Sequence, residues 1–142
     1  MEVPRLVGRT GQVTCVVTEA DTAQTLGSGD VAVLGTPRLI ALCEEATCRA
    51  IVGALPEDHT TVGVEITFRH RRPTWPGEEV IARARVVSAD ERRIEFDVEV
   101  YPVNRDASRA SLVPVETLAS GIIRRAIVPR AMFDRSGPPG GS

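Results

Sequence analysis

The sequence contains no lysine, so all 17 of its basic side chains are arginines, set against 19 acidic side chains. Without a lysine amine, Schiff-base chemistry and a lysine general base are excluded. The net charge of −2 gives no overall attraction to nucleic acid or to an anionic membrane, and we expect neither as a partner. The arginines fit two interpretations: phosphate recognition by paired guanidinium hydrogen bonds, or the codon usage of a GC-rich genome.

Long apolar runs are also missing. No stretch approaches the roughly 18 apolar residues of a membrane span. The first ten residues, MEVPRLVGRT, lack the apolar core of a signal peptide, so we expect a cytoplasmic protein. The 142 residues, 42% of them hydrophobic, predict one domain over 1–133, followed by a disordered Gly- and Pro-rich tail over 134–142.

The cysteines and histidines form no zinc-binding pattern. Cys15, Cys43 and Cys48 have no CxxC spacing, and only His59 and His70 accompany them. We expect three buried small hydrophobes in a reducing compartment, and neither a metal nor another cofactor.

The hydrophobic pattern predicts one strand, one long helix and then four strands. A helix is expected over 37–55, with Thr36 as its N-cap, Pro37 at its first position, and Gly53 and Pro56 ending it. Alternating apolar residues predict strands over 11–18, 61–70, 78–88, 94–101 and 117–128. The stretches 20–35 and 102–116 are predicted to be loops.

These elements predict an α+β fold. Hairpins with one apolar face need a covering layer, and one helix of about 19 residues, about 28 Å long, suits the concave side of a curled sheet. We therefore expect an antiparallel sheet of about five strands wrapped around the helix. The long terminal edge of such a sheet also predicts dimerisation.

Two adjacent glutamates in the helix are predicted to face different surroundings. At about 100° per residue, Glu45 falls on the solvated face, where it can pair with Arg49 at i,i+4. Glu44 falls at the margin of the apolar face, roughly 80° from Thr36. Partial desolvation would raise the pKa of Glu44 and suit it to act as a general base or a nucleophile. It could equally be a boundary residue whose carboxylate reaches water.

Two further polar residues have both a structural and a functional interpretation. The pattern predicts that His70 extends an apolar strand face formed by Val64, Ile66 and Phe68. It is either a core histidine bonded to a backbone carbonyl or an acid/base group. Thr36 is either a plain helix cap or a hydroxyl that faces a ligand. The N–H groups that follow it, on Arg38 and Leu39, could then polarise a carbonyl.

The segment RHRRPTWPGEEVIARARVV (69–87) resembles the strand–turn–strand segment of hotdog-fold acyl-CoA thioesterases. Over about residues 10–130 the chain is similar to the fluoroacetyl-CoA thioesterase-like branch. That branch has a Thr at the helix start, a Glu eight residues on, a His at the end of the next strand and a Gly seven residues before that His. These positions are Thr36, Glu44, His70 and Gly63.

The resemblance implies a hotdog homodimer with active sites at the subunit interface. Its substrate would be a small or medium acyl-CoA or a related thioester. Glu44 would be the nucleophile or the base for water, His70 would handle protons, Thr36 would orient the other groups, and Gly63 would line the substrate site. The segment SGDVAVLG (28–35) has no aromatic residue, so we expect the aromatic lid of the fluoroacetate-specific member to be absent, and selectivity for a fluorinated acyl group is not supported.

Three functions therefore remain, in decreasing order. The first is thioester hydrolysis, and the second is non-catalytic binding of acyl-CoA or acyl-carrier protein in the same pocket. The third is a hotdog hydratase, whose Asp is followed about five residues later by a His; Asp30 has no such partner. The arginines considered for contact with CoA phosphates are Arg69, Arg71, Arg72, Arg124 and Arg125.

Overall fold

A computed structural model describes residues 5–103 and 116–135. Its helices and strands, in chain order, are β1 (Thr10–Val16), α1 (Ala23–Leu26), α2 (Thr36–Ala50), β2 (His59–His70), β3 (Glu79–Ala89), β4 (Arg93–Pro102) and β5 (Ala119–Pro129). Short 3-10 turns cover Glu19–Asp21 and Arg130–Phe133. The predicted α+β fold, with one long helix and five antiparallel strands, is confirmed.

The sheet has the strand order β1-β3-β4-β5-β2, so β1 and β2 are its two edges. Helix α2 lies across one face of the sheet and packs mainly on β1 and β3. Its buried side consists of Leu39, Leu42, Cys43, Ala46, Thr47 and Ala50. Small residues of the sheet, such as Ala82 and Ala84, are fully or almost fully buried beneath it. Because the helix lies toward β1, the inner face of β2 is left largely uncovered.

The boundaries of α2 differ from the prediction. The N-cap is Gly35, not Thr36, and no side chain caps this end. Gly35 packs so closely on Ala23 that an added Cβ would lie 3.1 Å from the Ala23 backbone. This contact, together with a hydrogen bond from the Gly35 N–H to the Asp21 carbonyl, fixes the chain one residue before Thr36. The helix ends at Ala50, earlier than predicted.

Other expectations are confirmed only in part. The predicted loop 20–35 contains the short helix α1. Most of the predicted loop 102–116 (residues 104–115) and of the predicted tail (residues 136–142) lies outside the described residues. Of the three cysteines only Cys43 is buried, and burial raises the pKa of its thiol to about 12. Cys15 is half-buried and Cys48 is exposed, so the prediction of three buried cysteines is wrong for these two.

Within the described part of the chain, no helix is long and apolar enough to cross a membrane. The same residues contain no group of three or more metal-ligating side chains.

A bulge interrupts β2 where it pairs with β5. Gly63 lies opposite Arg125 and Glu65 lies opposite Arg124, so Val64 is an extra residue with no partner across the ladder. In a regular strand, two residues seven positions apart point to opposite faces of the sheet. The bulge reverses this alternation, and both Gly63 and His70 therefore face α2. The predicted inner face of β2 is correct for Ile66, Phe68 and His70, whereas Val64 is the bulge residue and is 46% exposed.

Candidate functional site

Thr36 and His70 meet although they are 34 positions apart in the chain. The Thr36 Oγ1 atom lies 2.8 Å from the His70 Nδ1 atom. Thr36 is the first residue of α2, and His70 is the last residue of β2, which runs alongside it. The Thr36 hydroxyl is available for this contact because Gly35 occupies the cap position. It donates to Nδ1 when the ring hydrogen is on Nε2, and accepts from Nδ1 in the other tautomer.

The surroundings of His70 favour its neutral form. Burial lowers the pKa of His70 below its ordinary value of 6.5, and a backbone hydrogen bond with Arg72 opposes the shift without cancelling it. Desolvation disfavours a charged imidazole, because the half-buried ring loses the water that would stabilise the cation. At neutral pH the ring can therefore accept a proton.

Glu44 lies two turns along α2 from Thr36, with its side chain 37% exposed. Its carboxylate faces Gly63 so closely that a Cβ added to the glycine would lie 2.7 Å from Oε2. The adjacent Glu45 lies on the solvated side and pairs with Arg49 at 3.3 Å, as predicted. Helical phase alone therefore separated the two glutamates correctly.

Arg125 is a member of the site whose position the sequence did not reveal. Its side chain is only 9% exposed, and its Nη1 atom lies 3.4 Å from Glu44 Oε2. Its Nε atom donates to the Thr61 hydroxyl at 2.9 Å, and its Nη2 atom donates to the Thr61 carbonyl at 3.1 Å. A buried guanidinium needs such partners because it has lost its water. Arg125 thus holds one oxygen of Glu44 in a fixed place.

The other arginines considered for phosphate binding are placed differently. On the outer face, Arg124 bridges Glu65 and Glu95, while Arg72 pairs with Glu116 at 3.2 Å. Arg71 reaches the Thr117 hydroxyl at 3.4 Å. Arg69 is exposed on β2. Contact with CoA phosphates therefore stays an open interpretation for the exposed arginines, whereas Arg125 is already paired with Glu44.

The region between α2 and β2, which we call the groove, contains two separate contacts between side chains or backbone of these elements. Thr36 and His70 meet at one end, and Glu44, Gly63 and Arg125 lie near its middle. A cavity of about 470 Å³ follows at the far end, lined by Cys48, Ile51, Val52, Gly53, Leu55, Pro56, Asp58, His59, Thr60, Thr61 and Arg130. The structure brings all four residues predicted for the site, Thr36, Glu44, Gly63 and His70, to this groove.

Comparison with solved structures places this architecture among the hotdog proteins. A hot-dog-like protein from Thermanaerovibrio acidaminovorans shares 17% identity, with 97% of this chain and 99% of that chain covered and a TM-score of 0.74. A thioesterase-superfamily member from Thermus thermophilus shares 24% identity over 92% of this chain and 88% of that chain, with a TM-score of 0.75. A search of curated proteins finds no match.

The fold and the family together define the class of the protein as a thioester hydrolase. The family model described as fluoroacetyl-CoA-specific thioesterase, FlK, matches residues 17–131, and the chain belongs to this family. A solved structure of the fluoroacetyl-CoA thioesterase FlK shares 24% identity, with 93% of this chain and 97% of that chain covered and a TM-score of 0.73. Other solved forms of FlK hold acetyl-CoA, or fluoroacetate and CoA.

The contact between Gly63 and Glu44 predicts that Gly63→Ala lowers activity. The added methyl group displaces the carboxylate, and a misplacement of about 1 Å can lower a rate by about 10²-fold. We expect kcat/KM for an acyl-CoA to fall at least about tenfold. Gly29→Ala is the control, since its Cβ would meet only the Ala23 side chain at 3.6 Å. Equal rates in the two variants would contradict the assignment.

The lowered pKa of His70 predicts the pH dependence of kcat/KM. If catalysis needs the neutral ring, kcat/KM rises as the pH increases through the pKa of His70, with its inflection below 6.5. His70→Gln should remove this inflection. Because unfolded His70 binds protons more readily, its contribution to the unfolding free energy also falls as the pH drops below 6.5. An inflection above 6.5 that disappears in His70→Gln would refute the prediction.

Proposed function

We propose that Thr36, Glu44 and His70 form the catalytic site of an acyl-CoA thioesterase that acts on small or medium acyl groups. The observation that carries the proposal is the contact between the Thr36 hydroxyl and the His70 imidazole, in the same groove that presents the Glu44 carboxylate. These three groups supply an orienting hydroxyl, a base near neutral pH and a carboxylate. Hydrolysis of a thioester needs no more, because its thiolate leaves readily.

Glu44 has one oxygen held and one oxygen available. Arg125 donates a hydrogen bond to Oε2, whereas no group in residues 5–103 or 116–135 is hydrogen-bonded to Oε1. The carboxylate can take a proton from water as the water oxygen bonds to the thioester carbonyl carbon. It can also attack that carbon itself and form an anhydride, which water then cleaves. In both routes the C–S bond breaks and the products are a carboxylic acid and a thiol.

The remaining groups serve proton transfer and the developing oxyanion. The water consumed in either route releases one proton, and the departing thiolate takes up one. Neutral His70 can receive that proton, either from Glu44 or from the water itself, and give it to the thiolate, while Thr36 fixes its ring. Of the two helix-start donors expected to polarise the carbonyl, Leu39 donates to the Gly35 carbonyl at 3.1 Å. Arg38 has no backbone acceptor within the described residues, so its N–H is the better placed donor.

The size of the acyl group follows from the direction of the groove. A leaving thiolate protonated by His70 lies at the Thr36 end, so the acyl group points past Glu44 toward the opposite end. The cavity of about 470 Å³ there begins at Thr61, which also binds Arg125. Its apolar floor includes Ile51 and Leu55 and suits an acyl chain longer than acetyl.

The proposed site is completed by a second copy of the chain. A side chain of α2 covers part of edge strand β1, since Arg49 donates a hydrogen bond to the Gln12 carbonyl at 3.1 Å. Among residues 5–103 and 116–135, edge strand β2 has a sheet neighbour only on its β5 side, and its Val64 and Ile66 are 46% and 38% exposed. Open edges with apolar side chains favour pairing with another strand. We therefore assign the dimer contact to β2, beside the groove.

Catalysis and mere binding of an acyl thioester are separated by Glu44→Gln. This change removes the charge with little change in size. We expect thiol release over a series of short, branched, aromatic and long acyl-CoAs to fall about 10²–10⁴-fold, whereas affinity measured by calorimetry is kept. Glu45→Gln, on the solvated face, is the matched control and should keep the wild-type rate. Binding without turnover by the wild type would support a binding module instead.

The assignment of β2 as the dimer contact predicts that Ile66→Asp weakens association, because a buried carboxylate without a partner is costly. We expect this variant to be monomeric in light scattering at micromolar concentration, where the wild type is a dimer. Val52→Asp is the control, since Val52 is 69% exposed and lies just after the C-terminal end of α2, far from Ile66 in the chain. A dimeric Ile66→Asp variant would refute the contact.

A further inference from the structure

The register of β2 is not set by burial alone. Strand register is strongly specified where a slip would move apolar side chains out of a core, and weakly specified elsewhere. β2 is an edge strand of the protomer, and two of its apolar residues, Val64 and Ile66, are 46% and 38% exposed, whereas Phe68 packs partly against the core. Burial within one protomer therefore specifies the register only weakly around the bulge, and a further interaction there can help to fix it.

Two consecutive arginines of β5 lie on either side of this bulge. Arg125 pairs across the ladder with Gly63, before the bulge, and faces the groove. Arg124 pairs with Glu65, after the bulge, and faces away from α2. On that outer face its Nη1 atom lies 2.8 Å from Glu65 Oε2, and its Nε atom lies 2.7 Å from Glu95 Oε1.

Contacts on the two sides of the bulge each oppose one bulge-free arrangement. If the part of β2 before the bulge stayed in place and the ladder continued regularly, Glu65 would turn inward and lose Arg124, and His70 would turn outward. If the part after the bulge stayed in place, Val64 would take the place of Gly63 opposite Arg125. Even a single Cβ there would lie 2.7 Å from Glu44 Oε2, so valine would displace the Glu44 carboxylate.

We propose that the Arg124–Glu65 ion pair is a positioning device that keeps the second half of β2 in the register in which His70 reaches Thr36. This inference rests on the proposed function of those two residues. Arg124 points away from the groove and cannot contact a substrate bound there, so it acts only through the strand. The end of β2 is also tied by the Arg71 N–H to the Leu118 carbonyl at 2.8 Å. Loss of the ion pair therefore displaces His70 only in part.

The two acidic partners of Arg124 provide a matched test. Glu65→Gln breaks its link to β2, whereas Glu95→Gln breaks its link to β4 and leaves β2 held. Exposed ion pairs contribute up to about 1 kcal/mol, so both variants should lose similar, small amounts of stability. We expect kcat to fall about tenfold in Glu65→Gln, with KM changed less than about threefold, and to stay within about twofold in Glu95→Gln.

Two further measurements keep the test decisive. Arg124→Lys should keep more activity than Arg124→Gln, because a lysine can still pair with Glu65. Cross-strand NMR contacts between Phe68 and Gly121, which are opposite in the native register, should weaken in Glu65→Gln and persist in Glu95→Gln. Equal activities in the two glutamate variants, or an unchanged Phe68–Gly121 contact in Glu65→Gln, would overturn the inference. A wild type inactive on every thioester would refute the proposed function, and the NMR comparison would still decide the register.

Discussion

The geometry of the groove depends on one extra residue in an edge strand. Gly63 and His70 are seven positions apart, and a regular strand would place one of them on the solvent side. The bulge at Val64 lets the same strand present a gap for the Glu44 carboxylate and, further on, an imidazole for the Thr36 hydroxyl. Both contacts reach α2 only in this register. The seven-residue spacing between Gly63 and His70 therefore depends on the bulge in the backbone as much as on the two residue types.

The second requirement is electrostatic. Arg125 is almost fully buried and would be costly there without partners, and it obtains them from Thr61 and Glu44. Glu44 in turn gains a fixed position for one oxygen from the same guanidinium. The Glu44 side chain is 37% exposed, but its carboxylate is not an isolated charge. It forms one half of an ion pair whose other half comes from β5, the strand next to β2 in the sheet.

The sequence predicted the features that follow from regular periodicity. Helical phase separated Glu44 from Glu45, and strand alternation placed His70 on the inner face. The cap was misplaced by one residue, because it was set by the contact of Gly35 with Ala23, which is not local in sequence. The bulge was missed because a single unpaired residue leaves no periodic signal.

Arg125 carried a signal that could have been used. It continues the inward alternation of Ala119, Gly121 and Ile123 along β5. An arginine on an apolar strand face is the same kind of anomaly that drew attention to His70. The consecutive Arg124 obscured it, because adjacent strand residues face opposite sides of a sheet and either arginine could be the inward one. Which of the two faces inward depends on how β5 is paired with its neighbours, and the sequence does not state that pairing.

The position of the groove at an open edge links assembly to chemistry. Helix α2 covers β1 and β3, so the inner face of β2 is the part of the sheet left for another surface to cover. Attack on a thioester carbonyl benefits from a site that excludes bulk water, where fixed charges act more strongly. In one protomer the groove has walls, α2 and β2, but its open side must be closed by substrate or by a partner. Strand β2 is therefore an edge that a monomer would have to protect from aggregation, and it is also the edge that must be covered to close the proposed active site.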